Sequence, residues 1–419
     1  MSGSPILLVI GTVDTKSDEI GYLKEVVERC DGRVVIMDVG VLGRGHVTPD
    51  IGNEVVAGAA GLTLQQVRDS GDENSSMAHM ARGAAKLACE WHAAGRIHGL
   101  LALGGTMGTD LALDVAAALP VGVPKVLVST IAYSHLLPPE RIAPDLTMVL
   151  WAGGLYGLNS LCRSALAQAA GAAVGACRSC VPPDFARPVV GMTSLGSSAL
   201  GYMKAFKPQL DRRGFDLAVF HTTGPGGRAF ETLARQGRFA AVMDFSLQEL
   251  VNHLGGSCVT AGADRLLGAG AAGVPQIVAP GATDMVDYPA WGERPERFPG
   301  RPAHAHNRLI ASVCVDPAMR RLTAAEIGRR LGAARGPTAL ILPLRGIEAW
   351  DRPGEALHDP EGLAALIDGL RISVQPATTL VEVDAHINDD AFVAAALQVF
   401  DAWVADGRIR APQPSGALA

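Results

Sequence analysis

The sequence has no cluster of basic residues. Lys and Arg are scattered through 419 residues, and the formal net charge is −6. That balance gives no electrostatic footprint for a phosphate polymer or an anionic bilayer, which argues against nucleic acid and membrane as main partners and for small molecules. At the N-terminus no basic segment precedes a long apolar run, so we expect no signal peptide and a cytoplasmic protein. The most apolar stretch, 146–162, is shorter than a membrane span and contains Gly153, Gly154, Gly157, Asn159 and Ser160, which predicts a buried segment instead. Seven cysteines, an odd number and widely spaced, form no disulfide framework. Only Cys177 and Cys180 have motif spacing, without the second pair or adjacent His of a metal or redox site. The two standard nucleotide fingerprints, Gly-x-x-x-x-Gly-Lys-Ser/Thr and Gly-x-Gly-x-x-Gly, are also missing.

What is present is a repeated unit: an apolar strand, a small-residue loop rich in hydroxyls, and a helix. Ile6 to Ile10 runs into Gly11-Thr12-Val13-Asp14-Thr15-Lys16, and Leu100 to Leu103 runs into Gly104-Gly105-Thr106-Met107-Gly108-Thr109. Glycines let a backbone approach a ligand, helix N-termini expose unpaired N–H groups, and Thr and Lys16 add donors, so both loops read as anion cradles. Asp38, ending the strand 34–37, stands where dinucleotide folds hold a ribose hydroxyl, and Ser129-Thr130 ends the strand 124–129. Alternating strands and helices predict an α/β fold with parallel sheets covered on both faces. The length predicts two domains, 1–180 and 181–419, divided in the polar, proline-bearing passage 178–188.

Beyond that passage the pattern restarts. Val189 to Thr193 echoes Val9 to Thr12, the strand 217–220 ending at His221 echoes the strand ending at Asp38, and Gly273 to Val278 echoes Gly122 to Leu127. The echoes predict two Rossmann-like, doubly wound domains with a cleft between them at the carboxyl ends of their strands. His221, followed by a Gly-rich turn with Arg228 and Glu231 close behind, fits either a general acid/base beside an anion-binding Arg or a histidine capping a sheet edge. Asp244, Asp284 and Asp287 fall at or after strand ends, as metal or hydroxyl ligands or as helix caps. His304 and His306 share one side of an extended segment without an obvious third metal ligand. Glu382, Asp384, His386 and Asn388 alternate so as to share one face.

These motifs together resemble the Tm-1-like ATP-binding family, also called UPF0261, over nearly the whole chain. The carriers are Gly11 to Lys16, Asp38-Val39-Gly40, Gly104 to Thr109, Gly122 to Lys125, Ser129-Thr130, Gly224 to Ala229, Asp284-Met285-Val286 and His386 to Asp389. Ser17 stands where the family usually shows Gly. The resemblance implies an N-terminal domain that binds ATP with Mg²⁺ and a chain that self-associates as a homodimer or higher homo-oligomer. On this reading Gly11, Thr12, Asp14, Thr15, Lys16, Asp38, Gly104, Gly105, Thr106, Gly108, Thr109, Ser129 and Thr130 form the nucleotide site, and His221, Arg228 and Glu231 serve a second, small anionic ligand. Two alternatives stand beside it: a metabolic enzyme acting on a small carboxylate or acyl substrate through His221, and a regulatory module gated by ATP. No reaction follows from the sequence.

Overall fold

The computed structural model of the chain describes residues 3–355 and 357–412, Ser197 by its backbone alone. The chain divides into two compact units between Pro183 and Asp184.

The first unit is a five-stranded parallel sheet of β1 (Ile6–Gly11), β2 (Arg33–Asp38), β3 (Gly99–Gly104), β4 (Lys125–Ser129) and β5 (Leu146–Leu150), in the order β2-β1-β3-β4-β5. Apolar side chains fill both faces of its central strands because helices cover both. Leu7, Val9, Leu101 and Val126 pack with Ile20, Leu23 and Val27 of helix Val13–Arg29 and with Leu166, Ala170 and Val174 of helix Ser160–Ser179. Leu8, Ile10, Leu100 and Leu127 face Met80 and Ala84 of helix Glu73–Ala93 and Leu111 and Val115 of helix Thr106–Ala118. The alanines of helix Ser160–Ser179 therefore serve close packing on its own sheet. The stretch 146–162 differs from expectation: Leu146–Leu150 is a half-exposed edge strand, and a loop leads from it to the helix at Ser160. Its apolar residues meet a sheet on one side only.

The second unit repeats the plan. Strands β6 (Val189–Ser194), β7 (Asp216–His221), β8 (Ala241–Asp244), β9 (Gln276–Val278), β13 (Thr338–Pro343) and β14 (Thr379–Val383) form a parallel sheet in the order β14-β13-β9-β8-β6-β7. Counted within the unit this is 2-1-3-4-5-6, the order of the first sheet extended by one strand. The three sequence echoes fall on β1 and β6, β2 and β7, and β4 and β9. An aromatic core of Tyr202, Phe206, Phe245, Phe392 and Phe400 fills one face, while helices Pro317–Gly332 and Pro360–Ser373 cover part of the other.

Between β9 and β13 the chain departs from the repeat. It forms a small antiparallel sheet, β10-β12-β11, from β10 (Met285–Pro289), β11 (Ala303–Ala305) and β12 (Ile310–Cys314). The alternating segment 382–388 also differs from expectation. Glu382 and Asp384 pair with Arg371 and Arg345 at the surface, whereas His386 is buried and bonded to the Glu348 carbonyl at 2.8 Å. The strand ends at Val383, so the alternation does not continue to His386. No helix among the described residues is long and apolar enough to cross a membrane, and all seven cysteines are free.

Candidate functional site

In a parallel sheet ordered β2-β1-β3 the strand order reverses between β1 and β3, and the loops leaving their carboxyl ends diverge to open a crevice. The first unit has a cavity of about 790 Å³ there. Its walls include Thr12, Asp14, Thr15 and Lys16 after β1, and Gly104, Gly105, Thr106 and Gly108 after β3. Eight of the residues singled out from sequence thus meet around one space.

Gly104 and Gly105 do different jobs. A Cβ on Gly104 would lie 2.5 Å from the Gly108 backbone, so this glycine lets the strand turn tightly into its helix. A Cβ on Gly105 would have only the Thr130 hydroxyl within reach, at 3.9 Å. Gly105 is the N-cap of helix Thr106–Ala118 and offers no side-chain acceptor. The first bond back to it comes from Thr109 N–H at 2.9 Å, so the amides of Thr106, Met107 and Gly108 precede the helical ladder. They line the cavity with the positive end of the helix dipole.

Other residues of the group hold these loops rather than line the cavity. Asp38 Oδ1 accepts from Val13 N–H at 3.0 Å and Gly40 N–H at 2.8 Å, tying the loops after β1 and β2 together. Burial raises its carboxyl pKa, with those two hydrogen bonds pulling the other way. Thr109 and Ser129, both buried, share a 2.7 Å hydroxyl bond, and Thr130 N–H donates to the Gly104 carbonyl at 3.2 Å. Gly11 is the last residue of β1, where a Cβ would press on Ile20 and Leu103 at 3.0 Å. Ser17 bonds the Val13 carbonyl at 2.6 Å and accepts from His46 N–H at 3.1 Å, bracing the loop after β2.

Lys16 sits in a kink of its helix (φ −132°, ψ 25°), and its ammonium donates to the Leu155 carbonyl at 2.5 Å. Asp14 Oδ2 accepts from Leu42 and Gly43 N–H at 2.8 and 3.2 Å, while its buried Oδ1 has no partner among the described residues.

The cavity also contains residues that sequence reading missed. Arg68 closes the short helix Leu64–Arg68 and is exposed, with Nε bonded to the Val41 carbonyl; Asp69, Asp72 and Glu73 follow it on the wall. The available signal was the capping box of Thr63 and Gln66, which announces that helix. A second hollow of about 390 Å³ shares Glu73, Met77, Thr106 and Met107 with the first and is largely apolar, lined by Leu113, Ile131, Leu136 and Leu137.

In the second unit His221, Arg228 and Glu231 do not form one constellation. His221 ends β7 with its side chain exposed. Arg228 is paired with Asp264 at 2.7 Å. Glu231 is buried, bonded to Arg265 at 3.0 Å and to the backbone amides of Leu266 and Gly268. Arg265, fully buried, also reaches Asp244 at 2.6 Å and Glu249 at 3.0 Å. One guanidinium facing three carboxylates leaves a deficit of positive charge. Burial, opposed by Arg265 and by the amides of Gly224 and Gly227, pushes the Glu249 carboxyl up to about 7. Asp284 is buried with both oxygens unpartnered among the described residues, and burial raises its pKa against the pull of Arg320. Glu348 is raised in the same way, with the Asp284 charge adding to the effect of burial. No group of three His, Cys, Asp or Glu among the described residues is arranged to hold a metal ion.

Comparison with known proteins follows the same division. The N-terminal domain model of the uncharacterised protein family UPF0261 matches residues 5–182, and its C-terminal domain model matches residues 187–404. The chain is 55% identical over 406 residues to a UPF0261 protein of Brucella melitensis, covering 97% of each. It is 33% identical over 391 residues to a UPF0261 protein of Clostridium tetani, covering 93% of this chain and 96% of that one. It is 26% identical over 422 residues to the ToMV susceptible protein tm-1 of Solanum lycopersicum, covering 95% of this chain and 56% of that one.

Proposed function

The chain belongs to the uncharacterised family UPF0261, and from that premise we propose that its first unit binds a nucleoside triphosphate, ATP in the first instance, in the crevice between β1 and β3. The observation that carries the reading is the meeting of two helix N-termini at one cavity. Helices Val13–Arg29 and Thr106–Ala118 both begin at its wall, and uncapped amides at the second favour phosphate oxygens. Thr12, Thr15, Thr106 and Lys16 add side-chain donors. A cavity of about 790 Å³ lies within the size range of cofactor sites. The adjoining apolar hollow suits the base, and Glu73, on the wall the two share, with Asp69 and Asp72 in the larger cavity, suits ribose hydroxyls.

Mg²⁺ fits this arrangement as a companion of the phosphates. The ion commonly takes one or two carboxylates together with substrate phosphate oxygens, and the unpartnered Asp14 Oδ1 supplies a carboxylate oxygen at the cavity. There it would neutralise phosphate charge.

The test is thermal stabilisation by ATP, ADP, NAD and coenzyme A, with and without Mg²⁺. A ligand at a hundredfold excess over its Kd adds about 2.7 kcal/mol. Stabilisation by ATP and ADP, stronger with Mg²⁺, is the expected result. A flat response to all four ligands would remove the reading.

A further inference from the structure

The antiparallel sheet β10-β12-β11 has one face that explains itself and one that does not. Val286 and Val313 point to one side and pack with Val251, Phe298, Val315 and Met319. By the period of a strand, the other side of the same sheet carries Asp287, Ser312 and His304, and His306 just beyond β11.

The polar groups on that face are wired in series. Asn252 Nδ2 donates to Asp287 Oδ2 at 3.0 Å, and Asn252 Oδ1 accepts from Asp287 N–H at 2.7 Å. Ser312 Oγ donates to Asp287 Oδ1, and His306 Nε2 lies 2.7 Å from Ser312 Oγ. Because the serine proton goes to the carboxylate, His306 must donate through Nε2, which leaves Nδ1 as the lone-pair nitrogen. Asn252, Asp287 and Ser312 are all buried, whereas the His306 ring is only half-buried. Three buried polar residues from three elements thus fix the tautomer of one imidazole near the surface.

The rings of His304 and Trp350 pack against it at 4.9 and 4.8 Å between centroids. Burial and the neighbouring His304 push the His306 imidazole down to about 4, so it is neutral at physiological pH. On the parallel sheet, the Ser194 hydroxyl at the end of β6 and Gln248 Oε1 beyond β8 are buried without partners among the described residues. Ser194 lies opposite His221 in register, and burial raises the Asp287 carboxyl against the pull of its hydrogen bonds from Ser312, Asn252 and Gln248.

We propose that this face is a second ligand site, independent of the nucleotide reading, and that it takes a neutral polyhydroxylated molecule of the pyranose kind, one hydroxyl donating to His306 Nδ1 with Trp350 against the ring. His306 Nδ1 accepts a hydrogen bond, so the ligand must bring a donor. The neutral His306 offers a lone pair and no positive charge, so it does not favour an anion. The absence of any three-residue metal set among the described residues disfavours a metal ion.

The experiment uses the full chain with ¹⁵N-labelled histidine. Long-range ¹H–¹⁵N spectra should show His306 as the Nε2–H tautomer, neutral down to about pH 5. Methyl α-D-glucopyranoside should shift its Nδ1 resonance and quench the Trp350 fluorescence, identified by Trp350→Phe. Ser312→Ala should mix the tautomers and weaken glucoside binding about tenfold, the scale of one hydrogen bond. His306→Gln, which leaves the buried groups in place, should abolish binding. Stabilisation by ATP should survive both substitutions. An Nδ1–H tautomer, no response to glucoside by a folded protein with its relay intact, or a response to inorganic phosphate or Zn²⁺ instead would overturn the assignment.

Discussion

Gly105→Val separates what the β3 turn does for a ligand from what it does for the fold. The backbone at Gly105 (φ −72°, ψ −156°) is ordinary for any L residue, and its Cβ direction is open to 3.9 Å. Valine is a poorer N-cap than glycine by about 1 kcal/mol, so the variant should still fold, with a thermal midpoint lowered by only about 2–4 °C. Its two γ-methyls would stand in front of the uncapped amides of Thr106 to Gly108, where we place the phosphates. Gly104→Ala is the opposite control. Its single added carbon meets the Gly108 backbone at 2.5 Å and Thr109 N at 2.8 Å, so the helix start must move, with an overpacking cost of about 1–3 kcal/mol. Saturating ATP at a hundredfold excess adds about 2.7 kcal/mol, which in a unit of 150–250 residues raises Tm by roughly 5–11 °C. Differential scanning fluorimetry should show that rise in the parent and its loss in Gly105→Val. Gly104→Ala should begin several degrees lower. A Gly105→Val protein that still gains the full increment from ATP would place the phosphates elsewhere.

Three further outcomes follow from individual side chains. Lys16→Ala should weaken ATP more than adenosine, by about 1.5–3 kcal/mol for one charge-assisted bond, in calorimetric titration; equal losses for both would mean that Lys16 serves only the Leu155 carbonyl. Arg265→Met leaves Glu231, Asp244 and Glu249 buried without their shared cation, and should destabilise the second unit by about 3–5 kcal/mol in urea; a loss under 1 kcal/mol would contradict the ion-pair account. Glu249, raised from 4.5 to about 7, binds a proton more tightly folded than unfolded, so its contribution is complete below about pH 4.5 and is lost as pH rises through 7, by roughly 3 kcal/mol. Hydrogen exchange of the β6 and β8 amides should accordingly report falling stability from pH 6 to 8 once corrected for intrinsic rates, and a rise over that range would refute the raised value.

The alternation of strand and helix was legible where strands of the two parallel sheets are short apolar runs and helices show a stripe. The three- and four-residue spacing of Ile20, Leu23 and Val27 is enough to put them on one helix face, the face that packs on the sheet. The antiparallel sheet was not legible for the same reason in reverse. β11 is three residues long, and β10 mixes Asp287 and Tyr288 into a run too short to show a period. The stretch 146–162 misled because hydropathy reports composition, whereas burial depends on position. The same apolar residues that fill a central strand stand half in water at the sheet edge.

The contrast between the two candidate sites has a physical cause. In the first unit the groups facing the cavity are mostly backbone amides and hydroxyls of two contiguous loops, so glycine and threonine in a row betray them. Asp38, Thr109 and Ser129 belonged to the same motifs but hold the loops, a distinction that only hydrogen-bond partners reveal. In the second unit Asn252, Asp287, Ser312 and His306 come from separate elements; Asp287 and His306 stood out singly, Asn252 and Ser312 did not, and no local pattern joins the four. His221, Arg228 and Glu231 looked like a constellation because they were close in sequence, yet Arg228 and Glu231, three apart on one helix, are held by different partners, Asp264 and the buried Arg265, and His221 ends the strand before that helix. The shared strand order of the two units therefore does not imply shared chemistry. The first offers uncapped amides, the groups on which the anion proposal rests. The second, with an antiparallel sheet inserted after β9, offers an oriented imidazole lone pair, the group on which the hydroxyl-donor proposal rests.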